Sequence, residues 1–382
     1  MPDHSAEPGP TDAVTRRLPA RDYILLPLVV VATITLLMVV SEVAARIVWP
    51  EQTDVSCAIG GPATSERFRP NCTAETKAAE GPWVSNQFNE CGYRSAESCR
   101  PAAPGQLRAV VMGSSTSRGA LVAYEDTFAA RASAALTRLC RQPFDFQNLG
   151  TDWGDLATMD RRVPEALALK PNAIVITVGP FDLSHLAIAM EPQSERPGFT
   201  LHDVVGFMKT NLRIFIVAQH YLYRDPAAHV SAFLSNKSDS SSYVQSPLPP
   251  VWQERAELLG RLIGRIAAQT RPVGVPVLLF YVPDRAHAAL SVPQYARPGL
   301  DPAALGEALR TAAQAEGAEF ADLTPDFAAA GDFASLYYPA DGHPSAGGHR
   351  IIGRRVVEAL LQDPAFAQCR ANSTMIVGQR AP

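Results

Sequence analysis

The chain has 382 residues, 47% of them hydrophobic and 19% charged, with a formal net charge of −4. That length allows one to three domains around a sizeable core. No Lys/Arg-rich run or basic stripe occurs, which excludes electrostatic recruitment of nucleic acid, and no fixed-period repeat or heptad array is present.

Residues 1–22 are polar and Pro-rich and carry Arg16, Arg17 and Arg21. Residues 23–40 then form an uncharged apolar run of 18, readable as far as Trp49 with only Glu42 and Arg46 interrupting it. Such a run can cross a hydrocarbon core of ~30 Å, and its two equally apolar faces argue against a buried amphipathic helix. The preceding arginines predict a cytoplasmic N-terminal tail over 1–22, a transmembrane signal-anchor over 23–49 with the lipid bilayer as partner, and an extracytoplasmic remainder. In a Gram-negative cell that compartment is the periplasm. Cleavage of a signal peptide at Ala44–Ala45 is the alternative.

All six cysteines follow the anchor: Cys57, Cys72, Cys91, Cys99, Cys140 and Cys369. An oxidising compartment would pair them. Six cysteines allow fifteen pairings; proximity favours Cys57–Cys72 and Cys91–Cys99, leaving Cys140–Cys369. No CxxC pair or His cluster accompanies them, so no zinc site is expected. Residues 51–105, rich in Gly, Pro, Ser and Thr, read as an irregular, disulfide-stapled cap.

Beyond residue 105 short apolar runs alternate with amphipathic stretches. Strands are predicted at 107–113, 144–150, 173–179, 275–282 and 318–323, and helices at 127–140, 155–169, 252–271, 302–316 and 345–362. This alternation predicts βαβ units and a parallel sheet covered on both faces. Residues 184–250 are too long for a simple connection and read as an insertion, with a helix near 201–220 and a weakly structured stretch over 235–250. The domain proper is predicted over 106–365, followed by a C-terminal tail over 366–382.

Ligands of open α/β sheets bind beyond the carboxyl ends of the strands. The first strand is followed by 113-GSSTSRG-119, the second by 148-NLGTDWGDLAT-158, the third by 179-GPFDLSH-185, and 337-YYPADGHPSAGGH-349 follows the fifth at a distance. A serine becomes a useful nucleophile only beside an oriented base. His343 is the predicted base, and Asp341, two residues away, can hold its imidazole. The Ser115 and Gly154 backbone N–H groups are the predicted oxyanion donors. Ser115 alone could equally be a helix N-cap. His349 is predicted to lie on a helix surface. Asp182 is expected near the first loop, and Arg118 either meets an anionic substrate or is solvated.

Together these segments resemble the SGNH (GDSL-like) hydrolases. Gly113-Ser114-Ser115 matches the first block, with Ser115 at the nucleophile position. Asn148-Leu149-Gly150 and Gly154 match the second with one residue of extra spacing. Asp341-Gly342-His343 matches the last, with Asp and His one residue closer than usual. The segment 86-NQFNECGYRS-95 resembles one that precedes the first block in membrane-anchored members. The resemblance spans about 82–365. It implies a three-layer α/β/α flavodoxin-like fold with a mostly parallel five-stranded sheet, and a cofactor-free serine esterase. An O-acetyl ester on a cell-surface glycan is the substrate class that family and location imply. The Asp-x-His spacing also resembles, more loosely, SGNH-like glycan O-acetyltransferases. The third block departs: where the family has Gly-x-Asn-Asp, this chain has Gly179-Pro180-Phe181-Asp182, and Phe181 offers no side-chain donor. A non-catalytic glycan-binding or assembly protein on the same scaffold is the reading that this departure favours.

Overall fold

A computed structural model describes residues 19, 21–60, 67–151, 156–190, 206, 208, 211–235 and 239–378. The chain divides into two units, Met1–Val48 and Trp49–Pro382. Helix α1 (Asp22–Val48) has 27 residues, none of them buried. At ~1.5 Å per residue it is about 40 Å long, enough to cross a ~30 Å hydrocarbon core. Glu42 and Arg46, the charges inside the predicted anchor, lie one turn apart and pair at 2.7 Å. Arg16 and Arg17, on which the orientation rests, lie outside the described residues.

The second unit begins with a cap that is more ordered than its composition suggests. It carries β1 (Gln52–Thr53), β2 (Ala58–Ile59), β3 (Arg67–Phe68), β4 (Thr73–Lys77) and β5 (Trp83–Gln87). Strands β1, β4 and β5 form an antiparallel sheet, with Thr73 opposite Gln87 and Lys77 opposite Trp83; β2 pairs with β3. The alternation in β5 buries Val84 and Asn86 and exposes their neighbours. A small core of Cys57, Phe68, Ala74 and Phe88 lies beneath, with the Phe68 and Phe88 rings stacked at 4.2 Å. Cys57 bonds to Cys72 and Cys91 to Cys99.

The main sheet has five parallel strands: β6 (Leu107–Gly113), β7 (Phe144–Asn148), β8 (Ala173–Val178), β9 (Val277–Tyr281) and β10 (Glu319–Asp322). Their order is β10-β9-β8-β6-β7. Every residue of β7, β8 and β9 is buried, as expected for strands covered on both faces. Between the strands lie α2 (Ser115–Arg118), α3 (Phe128–Cys140), α4 (Val163–Ala168) and α5 (Pro180–Met190). The predicted helix over 155–169 starts as a 3₁₀ stretch, Leu156–Arg162, before α4.

In the insertion, α6 (Arg213–Tyr223) and α7 (Pro226–Ser235) are followed by a 3₁₀ turn, Asp239–Val244. Residues 191–205 of the insertion lie outside the described residues. The stretch after 238 is not weakly structured: Tyr243 and Val244 are fully buried, with the Tyr243 ring edge-on to Trp252 at 4.9 Å. The chain continues through α8 (Pro250–Thr270), α9 (Arg285–Leu290), α10 (Ala304–Ala315), α11 (Thr324–Ala330), α12 (Phe333–Leu336) and α13 (Ala346–Gln362). Helices α8 and α10 pack together, and α3 packs on α13. The segment read as a tail forms α14 (Ala367–Gly378), which packs on α3 and is joined to it by Cys140–Cys369.

The first crossover leaves β6 for β7 and the second returns past β6 to β8. The direction of winding therefore switches between β6 and β8. A crevice forms beyond the strand ends at such a switch.

Candidate active site

The turn that presents Ser115 is built at the end of β6. Gly113 there adopts φ +138°, and a Cβ would lie 2.0 Å from Ser117 Oγ and 2.9 Å from the Thr177 carbonyl. No side chain fits, so this glycine lets the chain leave the sheet sharply. Ser114 is at the N-cap position and makes no side-chain cap bond; Ser115 is the first residue of α2. Its N–H has no acceptor within the helix. Ser117 ties the turn to the sheet: its hydroxyl donates to the Met112 carbonyl at 3.0 Å and lies 2.6 Å from Thr177 Oγ1.

Arg94, in the upstream segment singled out above, holds the other end of α2. It is buried. Its guanidinium donates to the carbonyls of Arg118 (3.0 Å), Gly119 and Val122 (2.7 Å). Asn148 at the end of β7 donates to the Ser117 carbonyl at 3.0 Å. A four-residue helix is too short to be stable alone, so these tertiary bonds fix it.

His343 comes from the loop between α12 and α13. Gly342 adopts φ +88°, its N–H donates to the Tyr338 carbonyl at 2.8 Å, and the Tyr338 N–H donates to the His343 carbonyl at 3.0 Å. The Tyr338 hydroxyl donates to the Leu121 carbonyl at 2.8 Å, which joins this loop to the one after α2. His343 Nε2 lies 2.7 Å from Ser115 Oγ. His343 Nδ1 lies 2.6 Å from Asp341 Oδ1, which also accepts the His343 backbone N–H at 3.0 Å. Burial pushes the Asp341 carboxyl up, but the His343 charge and hydrogen bonds outweigh it and hold the pKa below its usual value.

A cavity of about 200 Å³ opens beside this triad. Its wall includes Cys57, Phe68, Ala74 and Phe88 from the cap, Asn86 from β5, and Phe181. Arg118 also lines it and is buried rather than solvated. Its guanidinium lies 5.0 Å over the Phe68 ring, and Nη1 donates to Asn86 Oδ1 at 3.1 Å. A cation–π contact and a charge-assisted hydrogen bond together make that burial affordable.

Asp182 is buried beside the turn that carries Ser114 and Ser115. Its Oδ2 accepts the Gly179 N–H at 2.7 Å, and the Ser114 hydroxyl donates to it. Burial raises its pKa, and those bonds oppose the rise. Phe181 is 61% exposed, with its ring 4.0 Å from that of His185. Gly154, the second expected oxyanion donor, lies outside the described residues. His349 is not on a surface: it is buried, stacks on Phe128, and accepts the Phe128 N–H on Nδ1 at 3.2 Å. Burial, and then the Arg94 charge, push its pKa down to about 3.

Residues 111–351 match the model of the GDSL-like lipase/acylhydrolase family. The chain belongs to this family. It is similar to the solved structure of a lipase/acylhydrolase from Enterococcus faecalis, with 14% identity and a TM-score of 0.37, over 66% of this chain and 95% of that one. It is also similar to the lipase Lip_vut3 from a goat rumen metagenome, with 12% identity and a TM-score of 0.38, over 66% and 97% of the two chains. No curated protein matches. Family membership makes the chain hydrolase-like in fold. The cap, at 51–105, lies outside the matched residues, yet it supplies much of the cavity wall.

Proposed function

We propose that this chain is a membrane-anchored serine esterase whose catalytic domain works outside the cytoplasm. The observation that carries the reading is the continuous hydrogen-bond chain from Ser115 through His343 to Asp341. Ser115 Oγ attacks the ester carbonyl while His343 Nε2 takes its proton. The tetrahedral intermediate then expels the alcohol, which receives that proton from His343, and the acyl group stays on Ser115. Water, deprotonated by the same imidazole, attacks the acyl-enzyme and releases the acid. Asp341 orients the ring and stabilises its cationic form. The oxyanion is held by the Ser115 and Gly154 N–H groups. With Phe181 in the third block, one usual donor is missing, which lowers turnover by ~10²–10³ relative to a complete set.

The substrate we propose is an ester with a short acyl group, such as an O-acetylated cell-surface glycan. A cavity of modest size walled by Phe68, Phe88 and Ala74 favours a small apolar acyl group, and the anchor and three disulfides favour a location where such glycans occur. Transfer of the acyl group to a sugar hydroxyl is the second reading, favoured by the Asp-x-His spacing; it differs only in the acceptor. The test is hydrolysis of an acetyl ester by the full-length protein. Loss of turnover in Ser115→Ala supports the esterase. Faster transfer to an added oligosaccharide than to water supports the second reading, and no turnover in the wild type contradicts both.

A further inference from the structure

Asp341 and His343 are each about one-third exposed (34% and 33%), so packing alone does not hold them in register. Solvent screens an ion pair that is one-third exposed, and such a pair does not order a loop by itself. What orders it comes from the cap. Glu80, between β4 and β5, has a side chain 1% exposed. Its Oε2 accepts the backbone N–H groups of Ala340 at 2.8 Å and Asp341 at 2.7 Å. Its Oε1 is 2.9 Å from the Ala340 nitrogen and 2.7 Å from His220 Nδ1 on α6.

Three donors from two distant segments thus converge on one buried carboxyl group. The turn that presents it is itself closed, since Lys77 Nζ donates to the carbonyls of Ala78 (3.1 Å) and Gly81 (2.5 Å). The Arg285 guanidinium adds an attractive charge at longer range. Charge-assisted bonds to a buried carboxyl group are the strong kind. They fix the peptide planes on either side of the Ala340 Cα, the second of which leads directly into Asp341. That in turn fixes where Oδ1 meets the imidazole.

We propose that Glu80 is a positioning residue for the active site: it holds the Asp341–His343 loop in its hydrogen-bonded register and joins that loop to the insertion helix α6 through His220. This rests on the catalytic reading of Ser115, Asp341 and His343. The cap is then part of the catalytic apparatus as well as a wall of the cavity. The same imidazole meets the ring of Trp49 edge-on at 4.7 Å, so cap, insertion and the first residue of the globular unit share one contact.

The test compares full-length wild type, Glu80→Gln and Glu80→Ala in detergent. Reactive sites are counted with a fluorophosphonate, and kcat and KM for p-nitrophenyl acetate are expressed per reactive site. Misplacing a catalytic group by about an ångström costs ~10²-fold, so Glu80→Ala should lower kcat per site about tenfold to a hundredfold with KM nearly unchanged. Gln keeps the volume and one acceptor, and should fall between Ala and wild type. A merely structural role would lower the number of reactive sites and the melting temperature while leaving kcat per site at the wild-type value; that result overturns the proposal alone. A wild type that neither reacts nor turns over overturns the catalytic reading and this proposal with it. If Glu80→Ala does not fold, Glu80→Gln decides between the same outcomes.

Discussion

Changing Asp341 to Asn isolates the contribution of its charge. The new Oδ1 can still accept the His343 backbone N–H, a 3.0 Å bond here, and the Glu80 bond to the residue 341 amide is untouched. The loop therefore keeps its shape. What disappears is a negative charge 2.6 Å from Nδ1. Two unit charges ~4 Å apart near a protein surface attract by about 4 kcal/mol at an effective dielectric of ~20. Because the two side chains are 33% and 34% exposed, screening reduces this to about half, or ~2 kcal/mol. The attraction exists only once His343 has taken the Ser115 proton, so it acts on the transition state and not on bound substrate. At ~1.4 kcal/mol per decade, kcat should fall about 30-fold while KM holds. Initial rates of p-nitrophenyl acetate hydrolysis under mildly alkaline conditions, normalised to reactive sites, measure this. A kcat within about threefold of wild type would refute the assignment of Asp341 as the charge that stabilises the imidazolium.

Phe181→Asn restores a side-chain donor at the position where the family carries one. It should raise kcat at least ~10-fold with little change in KM, and an unchanged or lower kcat would show that this position does not reach the oxyanion. Replacing Cys57 and Cys72 together by Ser opens a cross-link of sequence separation 15. That should cost about 3 kcal/mol, read as a lower denaturation midpoint; an unchanged midpoint refutes the estimate. His349 sets an acid limit on stability. Its folded pKa is about 3, against ~6.5 when unfolded. Between those values the unfolded chain binds a proton that the folded chain does not, so stability falls as pH drops through the window, by ~1.4 kcal/mol per unit. His349→Gln should flatten the dependence of the urea midpoint on pH there, and an unaltered slope would contradict the assignment.

The five sheet strands were legible because each is an apolar run buried on both faces, bounded by turn residues. Ser115, Asp341 and His343 were legible because their blocks follow strand ends in a known order. The cap strands were not: Thr73–Lys77 and Trp83–Gln87 are short and mostly polar, and each buries a side chain only at alternate positions. His349 was misjudged by residue type. It shares a helical face with Ile352, Val356 and Leu360, all buried, and that spacing was readable. Arg118 was left open between cavity and solvent because the ring and amide that bury it, Phe68 and Asn86, are 50 and 32 residues away. Glu80 had no local signal at all: its partners are 260 residues downstream and in an insertion.

The central claim is that Ser115 is a nucleophile activated by His343. It is tested most directly by treating the full-length protein with a fluorophosphonate and mapping the adduct by peptide mass spectrometry. The account predicts one adduct on Ser115, lost in His343→Ala. No adduct in the wild type, or an adduct elsewhere with Ser115 unmodified, would contradict it.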